Sequence, residues 1–233
     1  MDDLFDAPAQ PIPRDRWDRP LVIPPDGGKP KPYARCTTFV SALESHHTLT
    51  LWEKRMVALG LSERADLLLA VTAHRDDKRE LNKICDQAKE AARASSAATT
   101  GTALHALTER VDRGQPLPAL PESAADDLAA YTQATRNIEV VDIERFGVED
   151  QLCVGGTWDR VFNIAGQYYI GDIKTGNIEA PAMKIAMQLA VYAHATPYDW
   201  TSGTRKPYDF TLNQERGVVV HLPAGTGTCQ LHW

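Results

Sequence analysis

At 233 residues with 43% apolar content, the chain is long enough for one sizeable hydrophobic core. A net charge of -6 argues against a protein that coats nucleic acid by bulk basicity, and no stretch approaches the length of a membrane span. Asp2 and Asp3 stand where a secretory leader carries basic residues, and Cys36, Cys85, Cys153 and Cys229 show no paired spacing, so reduced thiols in a cytoplasm are expected.

Residues 1–35 hold eight of the fifteen prolines. Their mixed charges leave too little apolar surface for self-ordering, so the segment is read as a flexible arm, extended where something clamps it. From Thr38 to Arg113 the pattern is helical. Leu51, Trp52, Met56 and Leu59 recur at helical spacing, Leu67 to Val71 forms a second apolar stripe, and Asp76 to Ala97 reads as a long charged helix. A further helix covers Gly101 to Val111, with Gly114 at its C-cap, and after a loop at Pro116 to Pro121 another runs from Glu122 to Asn137.

Beyond Asn137 the period falls to about 2, with Ile138, Val140 and Ile143 marking a first strand. From Gly156 to Ile164, alternation puts Trp158, Arg160, Phe162 and Ile164 on one face and Thr157, Asp159, Val161 and Asn163 on the other. Ala165-Gly166-Gln167 reads as a hairpin turn into a partner strand, Tyr168 to Lys174. A helix over Ala182 to Ala195 and strands at Gly217 to Leu222 and Cys229 to Trp233 complete an α/β sheet with helices packed on it. No repeat is present. The glycines of Gly225-Thr226-Gly227 form a turn, since no G-x-x-x-x-G-K-[ST] loop accompanies them.

The chemistry concentrates in the hairpin. Asp159 lies on one strand, with Asp172 and Lys174 on the next, about 6.6 Å apart along one face. Two carboxylates at mid-strand repel each other and lose hydration, a cost that a bound Mg²⁺ or Mn²⁺ removes. Ile173 points into the core and leaves its carbonyl as a further oxygen donor. A lysine beside such a centre can orient water and steady charge on a phosphate. Two such ions would bring about four positive charges to an otherwise acidic chain. Spacing alone supports a metal-ready face. It is equally the spacing of an exposed salt bridge between Asp172 and Lys174.

The runs Gly155-Gly156-Thr157-Trp158-Asp159-Arg160 and Gly171-Asp172-Ile173-Lys174-Thr175-Gly176 together resemble the RecB-like nucleases of the PD-(D/E)XK superfamily, whose pattern is a G-x-x-D strand followed by D-x-K-T-G. That resemblance implies a restriction-endonuclease-like mixed sheet flanked by helices with a helical N-terminal region. It implies one nuclease domain over 36–233, helical over 36–137 and sheet-containing over 138–233. Lys184, Gln188 and Tyr192 stripe one helix face at spacing four, where the family shows a Q-x-x-x-Y pair. The implied roles are phosphate contact for Lys184 and Gln188 and stacking or strand positioning for Tyr192. His105 resembles the family's helical metal ligand, joining Asp159, Asp172 and the Ile173 carbonyl. Glu109, one turn on, is left undecided, and Glu144, Glu149 and Asp150 compete for an acidic position that the superfamily often fills.

The implied activity is Mg²⁺- or Mn²⁺-dependent exonucleolytic hydrolysis of DNA, on linear ends or single strands. The helical part is similar to bacteriophage exonucleases related to the CRISPR-associated RecB-like enzymes, which implies a place in phage DNA replication, recombination or degradation. A partner protein from those processes and a homo-oligomer are compatible with this. Some of those relatives carry a four-cysteine iron-sulfur cluster, but Cys229 is the single cysteine after the hairpin, so no cluster is expected. A structure-selective endonuclease on the same fold, and an inactive DNA-binding or assembly module, are the competing expectations.

Overall fold

The computed structural model describes residues 12–42, 47–94 and 96–233. The chain divides into two compact units, one made of Met1–Glu44 with Leu104–Trp233 and the other of Ser45–Ala103.

In chain order the elements are β1 (Leu21–Val22), β2 (Lys31–Pro32), β3 (Ala34–Arg35), α1 (Cys36–Ser41), α2 (His47–Glu63), α3 (Ala65–Ala73), α4 (Lys78–Ala91), α5 (Ser96–Asp112), α6 (Glu122–Thr135), β4 (Glu139–Glu149), β5 (Val154–Ile164), β6 (Gln167–Lys174), α7 (Ala182–His194), β7 (Thr196–Asp199), β8 (Thr204–Arg205), β9 (Val218–His221) and β10 (Gln230–His232). No helix among the described residues is long and apolar enough to cross a membrane.

In the Ser45–Ala103 unit, α2 and α4 cross closely because Gly60 meets Ala88, where an added Cβ would lie 1.8 Å from the Ala88 carbonyl oxygen. Leu67, Ile84 and Ala88 form a small core with Val57 and Leu61. The Asp77 carboxylate starts α4 by accepting from the Arg79 and Glu80 amides. Most of the apolar stripe read from the sequence, including Leu51, Leu59, Leu68 and Leu69, faces outward within this unit.

The larger unit is a mixed sheet in the order β10-β9-β6-β5-β4-β7-β8, with β3 added parallel to β5. Strands β4, β5 and β6 form an antiparallel meander, while β6 and β9 run parallel. One face packs on α1 and α7 through Val40, Trp158, Ile170, Leu189 and Tyr192. The other packs on α5 and α6 through Leu104, Leu128, Tyr131, Phe162 and Ile173. The hairpin is as read from the sequence. Ala165 and Gly166 both adopt positive φ (53° and 82°), as a two-residue primed turn requires, and Ile164 pairs with Gln167.

Two expectations need correction. The described part of the proline-rich arm is clamped, not flexible. Val22 and Tyr33 are buried against Phe146, Val148 and Tyr198, Tyr33 Oη donates to Asp150, and Arg205 donates to the Ile23 carbonyl. The arm lacks apolar residues for a core of its own and joins one supplied by the sheet. Residues 1–11 lie outside the described residues.

The alternation along β5 is also broken. Arg160 and Phe162 face α5 and α6, whereas Trp158 packs beside Val161 against α7. The neighbouring strand is irregular as well: Glu144 has φ 52°, and the β4–β5 register shifts between Val140 and Asp142.

Candidate metal centre

The β5–β6 ladder ends at Arg160–Gly171, so Asp159 and Asp172 lie where the two strands have parted. In place of a ladder bond, Asp159 Oδ2 accepts from the Ile173 amide at 2.8 Å. Strand β6 stays anchored on its other side, where Asp172, Ile173 and Lys174 pair in register with Val219, Val220 and His221.

Helix α5 brings His105 to the gap. Its Nε2 lies 2.6 Å from the Ile173 carbonyl oxygen and 3.6 Å from Asp159 Oδ2. The Ile173 carbonyl, expected to be open, thus accepts from an Nε2–H. Metal ligation by the same nitrogen requires the other tautomer. Burial, reinforced by the positive charges of Arg160 and Lys174, lowers the His105 pKa and favours the neutral imidazole that can ligate.

Strand β4 supplies Glu144, which its positive φ swings toward the same place. One ligand atom each from His105, Glu144 and Asp159 fall within 4.8 Å of one another. Of the three acids named from the sequence, Glu144 is the one that converges with His105 and Asp159. Glu149 accepts from the Leu152 amide, Asp150 pairs with Arg205, and Glu109 pairs with Arg113 at 2.9 Å.

Asp172 is buried. Its Oδ2 forms a close ion pair with Lys174 Nζ at 2.6 Å, and no other donor among the described residues reaches that oxygen. Burial first, and repulsion from Asp159 second, push its carboxyl up to about 6 against the opposing pull of Lys174. Burial also raises Asp159, and burial with the Asp159 charge raises Glu144 to about 7. Three acids with elevated pKa values around one imidazole form a site short of positive charge.

Helix α7 contributes differently from the expectation. Tyr192 is only 3% exposed, its ring packs on Trp158 at 5.9 Å between centroids, and its hydroxyl is buried close to Cys36 and Gln188. It has no open face on which a base could stack, so that role is withdrawn. Its room comes from Gly156, where an added Cβ would lie 2.7 Å from the Tyr192 hydroxyl. Lys184 and Gln188 are partly buried. The double glycine thus serves packing behind the site.

The sequence reading missed Arg160 as a site neighbour. It is 1% exposed and paired with Asp112 at 2.6 Å, and Tyr131 donates to the same carboxylate at 2.7 Å. An arginine at an apolar position of a strand was the available signal, because a buried guanidinium demands a counter-ion. No protein-family model matches the chain, and no curated protein matches it in sequence.

Proposed function

We propose that the chain is a divalent-metal-dependent DNA nuclease that hydrolyses phosphodiester bonds from linear ends. The observation that carries the reading is the meeting of His105 Nε2, Asp159 Oδ2 and the Ile173 carbonyl beside the buried Asp172 carboxylate. One nitrogen with carboxylate and carbonyl oxygens is a donor set suited to Mn²⁺ or Mg²⁺ and poorly suited to a soft metal. Such an ion, when bound, supplies a Lewis acid that lowers the pKa of a water and offsets phosphate charge.

The chain's own residues complete the chemistry. Asp159 and Asp172 crowd negative charge that Lys174 alone does not balance, which favours a cation beside them. Lys174 keeps 30% of its side chain exposed while Asp172 keeps 5%, so the ammonium stands at the solvent edge, where a phosphate oxygen can approach. There it can orient the attacking water and donate to the oxygen on which charge builds as the P–O bond to the leaving strand breaks. The resemblance of the two hairpin runs to RecB-like PD-(D/E)XK nucleases supports DNA as the substrate and ends as the point of attack.

The test is incubation with end-labelled linear and circular DNA in Mg²⁺ or Mn²⁺. Linear DNA should be degraded, circles should persist, and Lys174→Ala should abolish cleavage. Cleavage that survives Lys174→Ala would overturn the assignment, and cutting of circles would replace the exonuclease reading with an endonuclease.

A further inference from the structure

The residues around the proposed ion lie on α5, β4, β5 and β6, and one buried side chain touches the first three. Arg160 Nε donates to Asp112 on α5 at 2.6 Å. Its Nη1 donates to the backbone carbonyl of Asp159 at 2.8 Å and lies 3.7 Å from Glu144 Oε1 on β4. Its Nη2 is 3.5 Å from the Thr108 hydroxyl, which itself donates to the His105 carbonyl at 2.8 Å. We infer that Arg160 is a positioning residue that sets the spacing of the metal ligands. Resting on the nuclease reading, this adds a fixed fork between the helix bearing His105 and the strands bearing Glu144 and Asp159.

Its geometry supports a role beyond charge neutralisation. Asp112 alone would satisfy a buried guanidinium at one edge, and Tyr131 already fixes Asp112 from α6. The remaining guanidinium nitrogens are nonetheless spent on the Asp159 carbonyl and on Thr108, the groups that carry the backbone of two ligands. Lysine, with a single ammonium on a flexible stem, cannot reproduce a planar fork. Loss of a partner that orients metal ligands weakens metal affinity by about 10–100-fold in general.

Calorimetric titration of Mn²⁺ into the whole protein separates this role from simple stabilisation. Arg160→Lys should weaken Mn²⁺ binding by about 10–100-fold. Asp127→Asn is the control: Asp127 is a comparably buried aspartate that holds the Gly225 and Gly227 amides and touches none of the site residues. It should lower the melting temperature with Mn²⁺ affinity unchanged. Thr108→Val keeps the local shape and decides the matter if Arg160→Lys fails to fold; it should weaken Mn²⁺ binding several-fold. A folded Arg160→Lys or Thr108→Val protein that binds Mn²⁺ within twofold of the wild type overturns the inference alone. A wild type that binds no Mn²⁺ overturns the underlying metal reading with it.

Discussion

Replacing Asp172 by asparagine should make the metal-free protein more stable while removing its function. The carboxyl is raised from 3.8 to about 6. At about 1.4 kcal/mol per pH unit, the ionised folded state carries a penalty of about 3 kcal/mol at neutral pH. Asparagine keeps the shape and removes the charge. The shifted pKa already contains the attraction of Lys174, whose side chain is 30% exposed and rehydrates once the carboxylate is gone. The gain of about 3 kcal/mol should raise the melting temperature by about 6–12 °C at pH 7.5 in chelator. Because the folded-state pKa lies above the unfolded one, the penalty is complete above pH 6 and fades as the pH falls toward 3.8, where both states carry the proton. The gap between variant and wild type should therefore shrink by pH 4.5. Mn²⁺ at one thousand times the wild type's Kd should add about 4.1 kcal/mol to the wild type and less to the variant, whose site has lost the carboxylate beside the ion, so the gap should narrow. Differential scanning calorimetry reads all three conditions. A variant that melts below the wild type at pH 7.5 without metal, or a gap that ignores pH, would refute the claim that Asp172 is an uncompensated buried charge.

Three further substitutions probe the surroundings. Lys174→Met should shift stability in the opposite direction, lowering the metal-free melting temperature at pH 7.5, because it removes the Asp172 carboxylate's salt-bridge partner and leaves the buried charge; an unchanged melt would show that the pair contributes nothing. Gly156→Ala should cost about 1–3 kcal/mol in urea unfolding, since its Cβ would press on the Tyr192 ring and on Cys36 Cβ at 2.9 Å. Combining it with Tyr192→Phe should restore part of that loss, and strict additivity would contradict the packing account. Tyr192→Phe by itself keeps the buried ring and should leave affinity for single-stranded DNA unchanged; a large loss of DNA affinity would return Tyr192 to the binding surface.

Much of this was legible in the sequence because local chemistry and tertiary structure agree. The hairpin, its turn at Ala165-Gly166, and α7 over Ala182–His194 follow from period and turn residues with little adjustment. So did the convergence of Asp159 with Ile173 and of Asp172 with Lys174. What escaped depends on breaks in regularity. Perfect alternation would put Trp158 with Phe162. Trp158 instead lies on the α7 side, and the β5–β6 ladder stops at Arg160 and Gly171, two irregularities that no residue type announces. Glu144 could not be chosen over Glu149 or Asp150 because only the fold pairs those two elsewhere. Strands β1 to β3 and β7 were invisible for a related reason: short edge segments owe their order to the surface they join, and Val22, Tyr33 and Tyr198 form a core only together with Phe146 and Val148. Tyr192 matched a family pattern, yet its surroundings of Trp158, Cys36 and Gly156 assign it to the interior.

The central claim is that one divalent ion sits among His105, Asp159 and the Ile173 carbonyl. A crystal grown with Mn²⁺ and measured at a wavelength sensitive to manganese tests it most directly. The account predicts an anomalous peak about 2.0–2.4 Å from His105 Nε2, Asp159 Oδ2 and the Ile173 oxygen, with His105 turned to its ligating tautomer. An ordered structure with no peak there, or with His105 still donating to the Ile173 carbonyl in saturating Mn²⁺, would contradict it.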